Sequence, residues 1–170
     1  MIGRQACSRA VLRYWRGALV VVACVWIGWQ ALTRYQTSVA AHDVEIAQGR
    51  RLYEAAVPIR ARLAGHNLDL PSAATRCANC HATAKPIGQA GFAPALTATL
   101  LTESHRRRGG PASRYDAAAF CRAVRDGLDP NSVMIDEVMP RYDMSQEQCS
   151  ALWFFLTKDP NYHGSLLSPG

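Results

Sequence analysis

The chain has 170 residues and a formal net charge of +6, a length that allows one domain and an appendage. The basic excess lies in residues 1–40, which hold five arginines and no acidic residue. Residues 41–170 hold fourteen lysines and arginines against thirteen acidic side chains. A nucleic-acid-binding domain would carry such an excess on its own surface, so we expect no nucleic-acid partner. We expect two parts, an N-terminal segment 1–40 and a domain 41–170.

The N-terminal segment is predicted to be a signal-anchor helix or a signal peptide. About 17 uncharged residues lie between Arg16 and Arg34, roughly 25 Å of helix, at the short limit of what crosses a bilayer. Four arginines precede this run. Their position predicts that the N-terminus stays in the cytoplasm and that the remainder is exported.

Whether the segment is retained stays open. The bulky Trp26 and Trp29 favour a transmembrane helix in a bacterial inner membrane, with the domain in the periplasm. The small residues Ser38 and Ala40 would allow cleavage, which would leave a soluble periplasmic domain. The run 21–24, which ends in a cysteine, is a weak lipoprotein pattern. All three outcomes place the domain 41–170 on the exported side.

The domain begins with a predicted helix and a predicted loop. Asp43 can cap a helix that runs to about Ala56, with Ile46 and Gly49 on its apolar face. Residues 57–74 contain several proline and glycine breakers and are predicted to form a loop.

The next feature is the run Cys77-Ala78-Asn79-Cys80-His81, a C-x-x-C-H motif typical of c-type haem attachment. Two thiols three positions apart on one helical turn can each bond a vinyl group of the same porphyrin. The adjacent His81 can then bind the iron as the proximal ligand. A structural zinc site would need a second Cys/His pair, and a thioredoxin-like pair would lie in a βαβ pattern; the sequence has neither. The motif therefore predicts one covalently attached haem c.

The remainder of the domain is predicted to be an irregular segment, 84–113, followed by two helices. Asp116 caps a helix that ends at Gly127, and Ser145 opens the last helix with a capping box to Gln148. A second loop, 129–143, joins these two helices. No alternating strand pattern is present, so the predicted fold class is all-α, with three to four helices and long loops around a covalent haem. The side chains predicted to be buried on the two helices are Ala117, Phe120, Cys121, Val124, Leu128, Cys149, Leu152, Trp153 and Leu156.

This order of elements resembles a class I monohaem c-type cytochrome over about residues 43–158. The matching motifs are Gly49-Arg50-Arg51-Leu52-Tyr53, the C-x-x-C-H run, Phe92-Ala93-Pro94-Ala95-Leu96, Met139-Pro140-Arg141-Tyr142 and Leu152-Trp153-Phe154-Phe155-Leu156. The resemblance implies that the first and last helices cross closely at Gly49. It also implies that the carbonyl of Pro94 accepts a hydrogen bond from the second ring nitrogen of His81, which fixes the tautomer of the ligand.

The chain departs from the family at one place. Members usually have only a few residues between the first helix and the C-x-x-C-H motif, whereas 23 residues separate Tyr53 from Cys77 here. This insertion leaves the end of the first helix open. We expect it either to shield the haem edge or to form a docking surface.

The sixth iron ligand is predicted to be Met139. Pro140 stiffens the loop beside it, and the Met-Pro-x-Tyr run matches the family. Met134 and Met144 are the alternatives, because a thioether from either could serve. His105 could make a bis-histidine iron, although beside the run 106–108 of three arginines we expect it to face water in a solvated loop.

Cys121 and Cys149 are predicted to form a disulfide. Each lies on the apolar stripe of its own helix, and an exported domain meets oxidising conditions. The bridge would close a loop of about 28 residues and contribute roughly 3–4 kcal/mol. Two buried free thiols remain the alternative.

These features predict an electron carrier rather than an enzyme. A haem ligated by His81 and Met139 would cycle between Fe(III) and Fe(II) with redox donor and acceptor proteins as partners, without a small-molecule substrate. The N-terminal helix would add the membrane as a partner. Three alternatives stay open: a haem subunit of a specific dehydrogenase or oxidase, a ligand-binding or peroxidatic haem protein, and a non-haem metal or thiol protein.

Overall fold

A computed structural model describes residues 3–81, 93–107 and 109–162, with side chains described from residue 19 onward. The chain forms two compact units, Met1–His42 and Asp43–Gly170. The helices are α1 (Gly3–Tyr53), α2 (Ala78–His81), α3 (Ala98–Thr102), α4 (Ala117–Asp126) and α5 (Gln146–Lys158). The strands are β1 (Ala61–Arg62), β2 (His105–Arg106), β3 (Ala112–Ser113) and β4 (Arg141–Tyr142), and Ser72–Ala74 form a 3-10 turn. The protein is therefore mostly helical, as predicted.

The first unit contains only the N-terminal part of α1. The large apolar side chains between Leu19 and Leu32 are all more than half exposed. This is the segment in which we predicted a transmembrane or signal helix. The side chains of its first four arginines lie outside the described residues. Over the part of the chain that is described, no helix is long and apolar enough to cross a membrane.

The prediction that a separate helix begins at Asp43 is wrong, because α1 runs without a break from Gly3 to Tyr53. Residues 29–42, directly before Asp43, hold no proline or glycine that would end a helix. Thr37 and Ser38 do not cap a new helix. Their hydroxyl groups donate to the carbonyls three residues earlier, at 2.9 and 2.8 Å, which keeps the helical backbone intact.

The second unit is organised around a close crossing of α1 with α5. A Cβ atom at Gly49 would lie 2.0 Å from the carbonyl oxygen of Ala151 and 2.6 Å from Cβ of Phe155, so only glycine fits there. Beside this contact, Arg50 donates to the buried carboxylate of Asp159 at 2.6 Å. The ring of Tyr53 packs on Phe155 with centroids 5.5 Å apart. The helix crossing implied by the family resemblance is confirmed.

The ends of α4 and α5 follow from local sequence as predicted. The Asp116 carboxylate accepts from the amide of Ala119 at 2.7 Å, and Gly127 closes α4 in the left-handed conformation with φ of 70°. Ser145 and Gln148 form the predicted capping box, with bonds of 3.2 and 2.8 Å.

Most side chains predicted to lie in the core of these two helices are buried. Phe120, Cys121 and Val124 are buried on α4, and Cys149, Leu152 and Leu156 on α5. Ala117, Leu128 and Trp153 are only half-buried. Phe155 occupies the fully buried position instead of Trp153, whose ring packs on Phe120 at the edge of the core.

The all-α prediction is wrong for the segments between the helices. Two antiparallel pairs of two-residue strands are present, β1 with β4 and β2 with β3. Part of the segment predicted to be irregular forms α3, which Thr97 caps by accepting from the amide of Leu100 at 3.1 Å. Strands of two residues are too short to show an alternating pattern in the sequence. In addition, β1 and β4 are far apart in the sequence, whereas β2 and β3 pair across a turn.

Candidate functional site

A cavity of about 550 Å³ lies in the second unit, enclosed by elements that are far apart in the sequence. Tyr53 lies on one wall, Phe120 and Val124 of α4 on another, and Leu152 of α5 beside them. The lining is mostly apolar. The residues predicted to hold a haem and its iron all line this cavity: Cys77, Cys80, His81, Pro94 and Met139.

The C-x-x-C-H motif forms the short helix α2 and the turn before it. The carbonyl of Cys77 accepts from the amides of Cys80 and His81 at 3.2 and 3.0 Å, so the three functional residues share one helical turn. Asn79, between the two cysteines, donates to the carbonyl of Ala73 at 2.7 Å and ties the turn to the preceding 3-10 segment. The helical turn that the motif predicts is therefore present.

Cys77 lies half-buried in the apolar wall of the cavity. Removal from water raises the pKa of its thiol to about 11, and a hydrogen bond with Tyr142 offsets part of this rise. The wall therefore favours an uncharged sulfur, which is also the form that a thioether has.

His81 makes the contact that the resemblance implies. Its Nδ1 lies 2.7 Å from the carbonyl oxygen of Pro94. Because a carbonyl only accepts, Nδ1 carries the proton and donates, and the lone pair of the neutral ring is on Nε2. This is the tautomer that binds a metal through Nε2, and the predicted hydrogen bond is confirmed.

The three candidate methionines lie in different surroundings. Met139 is half-buried and lines the cavity, whereas Met134 is 64 % exposed and lies outside the lining. Met144 also lines the cavity but is almost fully buried in the core. The structure therefore brings Met139 and Met144, and not Met134, to the same cavity as His81.

The backbone of Met139 is held in place by Arg141. The guanidinium of Arg141 donates to the carbonyl of Met139 at 2.6 Å and to that of Ile135 at 3.0 Å. The amide of Met139 donates to the carbonyl of Asp136 at 3.1 Å. These bonds fold residues 135–141 into a compact turn that presents Met139 to the cavity.

His105 is not brought to the cavity lining. It lies in β2, paired with Ser113, and its Nε2 is 3.3 Å from the carbonyl of Thr99. The structure thus gives no support to His105 as an iron ligand.

The prediction of a solvated arginine loop is wrong for Arg107. Its half-buried side chain donates to the backbone carbonyls of Leu100, His105 and Ser113, lies 5.0 Å from the ring centre of Tyr115 and lines the cavity. Arg106 is exposed, and Arg108 lies outside the described residues. A run of three arginines in the sequence carries no sign of which member turns inward.

Tyr142 is a lining residue that the sequence reasoning did not single out by itself. It is buried, and its hydroxyl donates to the carbonyl of Thr75 at 3.1 Å, two residues before Cys77. Burial raises the pKa of its phenol above the ordinary range. The Met-Pro-x-Tyr run could have identified it, since an aromatic residue three positions after Met139 reaches the same cavity.

The predicted disulfide between Cys121 and Cys149 is not formed. Both are buried free thiols, and their side chains are in hydrogen-bond contact. Burial and the bond with Cys121 raise the pKa of the Cys149 thiol to about 12. The helices bring the two side chains together as predicted, but without a bond between the sulfurs.

In the described ranges, no three or more His, Cys, Asp or Glu side chains are grouped as a metal site would require. A haem iron takes four ligands from its porphyrin and needs no such group. Comparisons of the chain with family models, curated proteins and solved structures gave no match.

Proposed function

We propose that the second unit is a c-type cytochrome domain that carries single electrons through one haem c. The observation that carries this proposal is the convergence of Cys77, Cys80, His81 and Met139 on one apolar cavity. When bound, the haem would supply one-electron Fe(III)/Fe(II) chemistry.

The size and lining of the cavity fit such a group. A volume of about 550 Å³ is within the range of pockets that bury a cofactor. Cys77 and Cys80 would hold the group as thioethers, His81 would bind the iron from one side and Met139 from the other. The hydrogen bond from His81 to Pro94 would raise the basicity of the proximal ligand.

Two arginines in the lining would match the two propionates of a haem in charge. Arg76 precedes the C-x-x-C-H motif, and Arg107 is oriented by three backbone carbonyls and the Tyr115 ring. A guanidinium that is already held in place loses little freedom when it binds a carboxylate. Arg107 is therefore the stronger of the two propionate contacts in this proposal.

Met139 favours an electron carrier over a ligand-binding haem protein. A thioether opposite His81 would close the iron to exogenous ligands and raise its potential. The bonds from Arg141 to Met139 and Ile135 hold this segment in one conformation, as a closed site needs. The partners in this proposal are redox donor and acceptor proteins, and the domain could equally serve as the haem subunit of one dehydrogenase or oxidase.

The proposed place of action is the exported side of a bacterial membrane. Haem of the c type is attached outside the bacterial cytoplasm, and the arginine-rich residues 1–16 precede an apolar run, which is typical of an exported chain.

The proposal is tested by expressing the full chain together with a c-type maturation system. We expect a protein whose mass exceeds that of the polypeptide by one haem, which acid extraction does not remove. The double variant C77S/C80S should lose this mass, whereas C24S, which changes an exposed cysteine of the first unit, should keep it. A wild-type product without covalent haem would refute the cytochrome assignment.

Carbon monoxide separates a carrier from a ligand-binding protein. We expect the ferrous wild-type protein to show no carbon monoxide adduct at neutral pH, because Met139 would occupy the sixth position. Ready binding would exclude the closed carrier and favour a ligand-binding or peroxidatic function.

A further inference from the structure

The segment that follows Met139 is paired with a strand from the 23-residue insertion. Strand β4 begins two residues after Met139, and it pairs antiparallel with β1 in the register Ala61 to Tyr142 and Arg62 to Arg141. The contact continues past the strands, where the amide of Asp143 donates to the carbonyl of Arg60 at 2.9 Å. The side chains of Arg60 and Asp143 also form an ion pair.

The insertion is itself fixed to the core on the other side of β1. Ile59 and Ala61 are buried, and the carbonyl of Ala61 accepts from the amide of Leu70 at 2.8 Å. Leu63 and Leu70 from the same segment line the cavity. Strand β1 therefore lies between the rest of the insertion and β4, and it cannot shift without disturbing both.

A second bond ties β4 to the end of the insertion. The buried hydroxyl of Tyr142 donates to the carbonyl of Thr75 at 3.1 Å, and Thr75 is itself almost fully buried. Thus β4 contacts the insertion near its start, at residues 60–62, and near its end, next to the C-x-x-C-H motif. The residues that would bind the iron from opposite sides are therefore connected through this one segment.

Arg141 links β4 to the backbone of Met139. It is a residue of β4, and its guanidinium donates to the carbonyls of Met139 and Ile135. A thioether is a weak iron ligand, so its occupancy depends on how well the protein holds the loop that carries it. Any element that immobilises Arg141 and Tyr142 therefore strengthens the hold on Met139.

We propose that the insertion between Tyr53 and Cys77, residues 54–76, is a positioning element for the distal ligand, and that the β1–β4 pairing keeps Met139 in place. This inference rests on the proposed function, since it assumes that Met139 binds a haem iron. It assigns a role to the insertion that differs from shielding the haem edge or docking a partner.

The decisive variant breaks the pairing through the backbone. Because Arg60 directs its carbonyl to β4 and Ala61 directs its carbonyl to Leu70, alternation along the strand turns the amide of Arg62 towards Arg141. Proline at position 62 removes that amide, and the exposed side of the strand gives room for its ring. R62A is the matched control, because it loses the same side chain but keeps the amide.

The measurement is the affinity of the ferric protein for imidazole, which competes with the thioether for the iron. We expect R62P to bind imidazole at least tenfold more tightly than wild type and to lose the thioether-to-iron charge-transfer band at a lower pH. R62A should stay within about twofold of wild type. Y142F removes the hydroxyl that bonds the carbonyl of Thr75 and the side chain of Cys77. It should change in the same direction as R62P, and it tests the tie of β4 to the end of the insertion if R62P does not fold.

The outcomes separate this inference from the proposed function. A wild-type protein with covalent haem but no thioether band would refute Met139 as the ligand, and the inference with it. A wild-type protein with the band, and variants whose imidazole affinity is unchanged, would refute the positioning role alone. A lower melting temperature with unchanged imidazole affinity would also refute it, since the insertion would then only stabilise the fold.

Discussion

Among single residues, the three methionines provide the clearest test of the iron site. Met139 and Met144 line the cavity, and Met134 is exposed. We expect M139A to retain covalent haem and lose the thioether-to-iron charge-transfer band of the ferric spectrum, because no sulfur would then bind the iron. The measurement is the optical spectrum beside that of wild type.

The other two methionines are the controls for this substitution. M144A should keep the band but lose about 2–5 kcal/mol of unfolding free energy, since it empties a buried position. M134A should change neither. An unchanged spectrum in M139A together with loss of the band in M144A would move the ligand to Met144.

The residues proposed to hold a haem iron could be predicted from the sequence because their spacing follows from covalent chemistry. Two thioethers and an adjacent imidazole require the C-x-x-C-H order, and Pro94 and Met139 follow from short family motifs. Arg107 could not be predicted, since its inward turn depends on the β2–β3 pairing and on three backbone carbonyls. No local pattern distinguishes such an arginine from a solvated one.

At the level of elements, the crossing of α1 and α5 is the contact where one added carbon atom would disturb the packing most. A Cβ at Gly49 would lie 2.0 Å from the carbonyl oxygen of Ala151, so we expect G49A to force the helices apart. Overpacking of this kind typically costs about 1–3 kcal/mol, and the backbone neighbour leaves little room to relax. Denaturant unfolding of the holoprotein measures the loss.

Gly28 offers a matched control on the same helix. Among the described residues, apart from the neighbouring backbone of α1 itself, no atom lies within 4 Å of the position that its Cβ would take. G28A should therefore be neutral or stabilise the helix by up to about 1 kcal/mol, the ordinary advantage of alanine over glycine. Equal unfolding free energies for G49A and wild type would show that the helices do not cross as closely as described.

Among the elements, the sequence correctly predicted those features that depend only on residues close together in the chain. The caps of α4 and α5 depend on side chains within three residues of each helix end, and both are as predicted. The prediction that a helix starts at Asp43 was wrong because this good capping residue lies inside an uninterrupted helix, α1. The strands were missed because β1 meets β4 across about eighty residues, a pairing that no short pattern reports.

For the whole molecule, buried phenols predict a loss of stability at high pH. Burial raises the pKa of Tyr53, Tyr142 and Tyr162 above the ordinary value near 10. The unfolded chain releases these protons at lower pH than the folded one, so the stabilisation is complete below about pH 10 and is lost as the pH rises above it. Denaturant unfolding between pH 8 and 11 should show the decline.

A substitution of Tyr53 tests whether the buried phenols cause this loss of stability. Its hydroxyl accepts a hydrogen bond from Tyr162 at 3.3 Å in a buried pair. Y53F removes one of the titrating phenols, so its unfolding free energy should fall less steeply above pH 10 than that of wild type. Parallel curves for the two proteins would contradict the assignment.

The redox state of Cys121 and Cys149 should change the stability of the domain. The two buried thiols are in hydrogen-bond contact, so an oxidant that removes two protons and two electrons would join the two sulfurs in a disulfide between α4 and α5. The closed loop of about 28 residues would contain Met139 and would stabilise the domain by roughly 3–4 kcal/mol. We expect the oxidised holoprotein to melt about 10–15 °C higher than the thiol form.

The comparison needs one control, because a reductant that opens the disulfide would also reduce the iron of the proposed haem. C121A cannot form the bridge, so the effect of reductant on its melting temperature measures the contribution of the iron alone. The difference between wild type and C121A is then the effect of the disulfide. If reductant shifts both proteins equally, and free thiols are counted in the wild-type protein, the pair remains reduced and the core alone holds α4 against α5.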